Sequence, residues 1–224
     1  MKLGDLAALF ATAVVLSGCN LVISQKPAFA AQASAKSATL KPGYWTSPGC
    51  TAELVRQKDP DCPLGVVVDE QALHAEGGDK GGQMFEAATA NPWGYRMVAG
   101  APTMLQLASG EGGPGPVYLF AGVEPLARDA EGRVTEARFW PVLCGPPRAK
   151  EPEWPKGYVT SEGVMVTPTP PPADKLFPGL RSNGDTVDKP GCTFKSVKAL
   201  RNAATASKGL DRELVLHWDR DAAP

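Results

Sequence analysis

Glycine and proline decide most of what this chain can fold into. It carries 24 glycines and 22 prolines in 224 residues, about a fifth of the total. Proline fixes φ and removes a backbone donor, while glycine supplies the positive φ that tight turns demand. Extensive helix is therefore excluded, and short strands joined by many turns and long loops are expected. Hydrophobic residues at 43% and charged residues at 21% suit one sizeable globular core.

The clearest local signal is VYLFAGVEPLARDAEGRVTEARFWPVLC. Its β-rich segments 117–127 and 134–143 flank the turn RDAEGR, in which Gly132 suits positive φ. Pro125 and Pro141 mark edge or bulge positions in this hairpin. Shorter strands are expected over 66–69, 95–98 and 103–108, with a second small hairpin over 158–167. Residues 74–94, rich in glycine, read as a loop, and the proline-rich 168–179 as a rigid crossing segment. Thr51 caps a short helical turn that Pro60 ends. Thr193 caps a helix over 194–207 with Phe194, Val197, Leu200 and Ala204 on its apolar face. A last strand over 213–219 places Leu214, Leu216 and Trp218 on one side. The expected class is α+β and β-rich: a small antiparallel sheet built on hairpins, with 117–143 central, one C-terminal helix and a final strand.

Five cysteines are present: Cys19, Cys50, Cys62, Cys144 and Cys192. Four of them lie in the body, and in an exported chain they imply two disulfides with three connectivities. No C-x-x-C occurs, and neither His74 nor His217 is close in sequence to a cysteine, so zinc is not expected. Cys50 pairs with Cys62 through a short loop that Pro60 and Pro63 help to return, and elimination leaves Cys144 with Cys192.

The N-terminus carries an export signal. Residues 6–16 form an eleven-residue apolar segment, long enough for a signal-peptide core and too short to span a bilayer. The residues that follow, Leu16-Ser17-Gly18-Cys19, resemble the lipobox of bacterial lipoproteins. That resemblance implies a signal peptide over 1–18, cleavage before Cys19, a diacylglycerol thioether on its sulfur and usually an acyl chain such as palmitate on its amine. Asn20 would then be the second mature residue, and its not being aspartate leans towards the outer membrane, facing the periplasm. A competing cut follows Ala28-Phe29-Ala30 and would release a soluble periplasmic or secreted protein lacking Cys19. In the lipobox reading residues 19–40 form a lipidated, flexible tether, reaching roughly 25 Å as a coil. Residues 41–224 then form a single disulfide-stabilised domain.

The formal net charge is −1, and no run of lysine and arginine marks a nucleic-acid or anionic-lipid footprint. No nucleic-acid partner is expected, and membrane attachment rests on the N-terminal lipid. Gly110, Gly112 and Gly115 spell a nominal dinucleotide fingerprint, but they lead into a strand, so no helix N-terminus faces a phosphate. No catalytic, metal or cofactor site is expected. His74 reads as solvated and His217 as the polar side of a strand. The pair Asp69 and Glu70 reads as a strand end, and the five tryptophans mostly as core. The expected role is a non-catalytic binding or structural envelope module with a protein or glycan ligand. The alternative is a periplasmic hydrolase in which two carboxylates converge in a cleft.

Overall fold

The computed structural model describes residues 20–29, 39–62, 64–70, 72–76, 93–108, 117–147, 158–159, 165–166, 175–183, 191–210 and 213–221. Eight antiparallel strands close into a barrel. They are β2 (Gly43–Thr46), β3 (Gly65–Val68), β4 (Ala72–Glu76), β5 (Trp93–Val98), β6 (Thr103–Ala108), β7 (Tyr118–Arg128), β8 (Val134–Pro141) and β13 (Leu214–Arg220). The order runs β7-β6-β5-β4-β3-β2-β13-β8, and β8 pairs back onto β7. A short leading strand, β1 (Ile23–Ser24), adds to β7.

The β-rich α+β class is therefore observed, but the small open sheet is not. Closure depends on the last strand, β13, inserting between β2 and β8, with His217 opposite Thr46 on one side and Glu136 on the other. Pairings that distant leave no trace in a local pattern. The 117–143 hairpin is present as β7 and β8, with a register shift beside Pro125 and Gly132 at φ 80°. Residue 74 belongs to β4, where a loop is expected from sequence.

The barrel is apolar inside, and its outer face carries polar residues where no other segment covers it. Trp45, Leu105, Val123, Ala137, Phe139 and Leu216 share the interior core. Their strand neighbours Arg96, Glu124, Glu136, Arg138 and His217 alternate to the outer face. This is the reverse of a barrel whose wall faces lipid.

A second core lies outside the barrel, over β6, β7 and the end of β8. Met104 and Phe120 are buried there against Val22, Phe29, Leu180 and Leu200. Three segments build the covering layer. They are residues 20–29, the ribbon β11 (Leu180–Ser182) with β12 (Cys192–Phe194), and the helix α2 (Val197–Ser207). Helix α2 begins at Val197 with Ser196 as its cap, because residues 192–194 are used in the ribbon instead of the expected first turn. Its buried face is Ala199, Leu200, Ala203, Ala204 and Ser207, while Val197 is 38% exposed.

Trp140 fixes how closely α2 approaches. Its indole lies over Gly122, where any Cβ would collide with the ring, and its Nε1 donates to the Ala204 carbonyl at 2.8 Å. On the other side of the barrel, helix α1 (Ala52–Arg56) is capped by Thr51 and held in the loop closed by Cys50–Cys62. Cys144–Cys192 joins the end of β8 to β12. Both disulfides follow the pairing expected from sequence. The small hairpin is present as β9 (Tyr158–Val159) and β10 (Met165–Val166).

Candidate membrane-attachment site

Asn20, the residue after Cys19, is the first described, and it sits in the fold. Asn20 accepts a hydrogen bond from the Cys144 amide on its backbone oxygen at 2.6 Å, and its Nδ2 donates to the Gly145 carbonyl at 3.2 Å. Its side-chain oxygen is buried without a hydrogen-bond partner. Cys19 itself lies outside the described residues.

From Asn20 the chain runs as a strap between β8 and β12. The Val22 amide donates to the Val142 carbonyl at 2.9 Å, and the Cys192 amide donates to the Leu21 carbonyl at 3.1 Å. Ile23 and Ser24 then pair with Leu119 and Tyr118. This is the stretch of β7 left uncovered where β8 turns away after Pro141. The strap thus completes the seam that closes the barrel. The Cys144–Cys192 bond beside it is fully buried.

The strap ends in a second set of contacts. Gln106, buried on the outer face of β6, accepts from the amides of both Ala28 (2.8 Å) and Phe29 (3.1 Å) through its side-chain oxygen. Arg96 donates to the Phe29 carbonyl at 2.8 Å, and the guanidinium of Arg201 lies 5.6 Å from the centre of the Phe29 ring. Leu21, Val22 and Phe29 are 7%, 1% and 6% exposed. Burying three such side chains contributes on the order of 5–8 kcal/mol as an upper estimate. Whole domains of this size are stable by about 5–15 kcal/mol, so the strap decides whether the barrel stands. Residues 20–29 are therefore part of the body and differ from the expected tether. Residues 30–38 lie outside the described set.

The other candidate residues stay apart. His74 Nε2 lies 3.5 Å from an Asp69 carboxylate oxygen. Asp69 also accepts the Ala72 amide at 2.6 Å across the β3–β4 turn. Glu70 is exposed. Tyr95 donates to the Asp69 carbonyl at 3.1 Å, and burial, then the charges of Asp69 and Glu70, push its phenol up to about 12. His217 faces Thr46 at 3.5 Å on the opposite side of β3 from that group. Glu124 and Glu213 meet only through Arg138, at 2.9 and 3.3 Å, with Lys208 also 3.1 Å from Glu124. A hydrogen bond from Lys208, with the charges of Lys208 and Arg138, holds the Glu124 carboxyl below the usual range despite desolvation. Such an ion-paired carboxylate is poorly suited to donating a proton near neutrality.

The tryptophans divide between surfaces. Trp45 is in the barrel and Trp140 under α2. Trp218 lies beneath Lys41 Nζ, 3.3 Å from the ring centre, and donates to the Pro42 carbonyl. Trp154 and the Gly110–Gly115 fingerprint lie outside the described residues. The role of the strap was missed from sequence, although the apolar Leu21, Val22 and Phe29 were visible there. No family model matches this chain, and no curated protein or solved structure matches it either.

Proposed function

We propose that the protein is a lipid-anchored module of the bacterial cell envelope. Its barrel, attached through Cys19 and facing the periplasm, serves in binding or structure and not in catalysis. One observation carries the anchored reading: the strap of residues 20–29 is built into the barrel seam and the outer core. Cleavage before Cys19 keeps the strap, whereas cleavage after Ala30 removes Leu21, Val22 and Phe29 and leaves their apolar partners in water. Of the two products, only the first retains the seam described above. The buried disulfides fit an oxidising compartment, and the polar barrel exterior fits attachment by a lipid and not by the barrel wall.

The test is Cys19→Ala in the producing cell, followed by fractionation and labelling with a radioactive fatty acid. The reading expects the label to disappear and an uncleaved precursor to accumulate. An unlabelled wild-type protein, released into the soluble fraction and indifferent to the substitution, would defeat it.

A further inference from the structure

The positive charge that looks scattered along the sequence is gathered by the fold. The described residues of the strap (20–29), of 175–183 and of 191–210 include seven lysines and arginines and no aspartate or glutamate; Asp174, Asp185, Asp188 and Asp211, which adjoin them in sequence, lie outside the described residues. These segments share one core over β6 and β7, so they form one layer on one side of the barrel. Among the other described residues aspartate and glutamate outnumber lysine and arginine. Two of the seven cations are engaged at the barrel. Lys208 pairs with Glu124, and Arg201 turns back to the carbonyls of Pro102 and Ala99. The other five, Lys26, Lys175, Arg181, Lys195 and Lys198, are exposed. Val197, between the last two in sequence, is also exposed.

The same layer contains the residue next to the lipidation site. A 25 Å tether would hold these charges well beyond the screening length of about 8–10 Å. With Asn20 fixed in the fold, only Cys19 stands between the layer and the lipid, about 3.8 Å from one Cα to the next. We infer that this basic layer lies against the bilayer and binds the phosphates of anionic phospholipids, giving the anchored barrel a fixed orientation. The inference rests on the anchored reading for its geometry, while its electrostatics can be read separately.

Two measurements on one preparation separate the two ideas. The processed protein is taken from its membrane fraction, its N-terminal acylation checked by mass, and reconstituted into phosphatidylcholine vesicles with or without 30% phosphatidylglycerol. Acylation of lysines by a water-soluble reagent is then mapped by peptide mass spectrometry. Lys26, Lys195 and Lys198 should be labelled several-fold less with phosphatidylglycerol present, and 0.5 M salt should abolish the difference. Lys41 and Lys58 serve as controls and should not change. Equal labelling in both vesicle types would overturn the inference and leave the anchor standing.

If the mass shows no lipid, the free protein is sedimented with the same vesicles. Replacing Arg181, Lys195 and Lys198, which either cleavage retains, by glutamine should then weaken binding roughly five-fold per residue. Salt-independent binding, or none, would overturn the inference. Binding that follows salt but ignores lipid composition would point to another polyanion and overturn it as well.

Discussion

Single side chains carry unequal burdens in this barrel. Gln106 is a buried amide whose one oxygen serves two strap amides. Gln106→Leu leaves both donors without a partner, at a cost of about 2–3 kcal/mol. Hydrogen exchange should show residues 22–29 opening much faster while the β3–β4 amides keep their protection. Tyr95 makes a different prediction. Its folded-state pKa lies above the unfolded value, so its contribution is complete below pH 10 and is lost as pH rises through about 12. A spectrophotometric titration should find a late phenol that belongs to Tyr95. Tyr95→Phe should remove it and flatten the alkaline loss of stability. If Tyr95→Phe instead removed a phenol titrating near 10, the burial assigned to this ring would be refuted.

Elements show how far local pattern reaches. The β7–β8 hairpin was legible because its turn chemistry and β-rich flanks agree. The first turn of α2 was misplaced because Thr193 and Phe194 satisfy a cap pattern as well as a strand, and pairing with Arg181 and Leu180 decides between them. Strand β4 was missed because ALHAE has little β-propensity of its own and forms between β3 and β5. One further signal is present in the sequence. The apolar run 119–123 does not alternate because β7 is covered on both faces, by the barrel core and by the outer layer. At this scale Gly122→Val should force Trp140 from its seat and destabilise by about 1–3 kcal/mol, seen as a lower melting temperature. Replacing Cys144 and Cys192 together by alanine should cost about 4 kcal/mol, against about 3 kcal/mol for Cys50 and Cys62. The first pair should also loosen the strap, which hydrogen exchange would detect.

The whole molecule is a barrel closed by its last strand and sealed by its first described residues. The Cys50–Cys62 pairing was legible from its short loop and Cys144–Cys192 by elimination, but closure was not, since it joins residues some 170 positions apart. The strap was hidden for another reason. The alanines, serines and glutamines of residues 20–40 suit a linker, and the buried Val22 and Phe29 become informative only beside Phe120 and Met104. The charged surface contributes less than the seam. Glu124, with its lowered pKa, adds stability above the ordinary carboxylate range and loses it as pH falls through its folded value. Glu124→Gln should lower the melting temperature by no more than a few degrees at pH 7, and by less as pH falls through the folded-state pKa.

The most direct test of the account is the intact mass of the mature protein isolated from its own cells, before and after reduction. The mature protein should begin at Cys19 with added acyl mass and gain four daltons on reduction. A stable, folded protein beginning at Ala31 would contradict it, because that barrel would have to stand without Leu21, Val22 and Phe29.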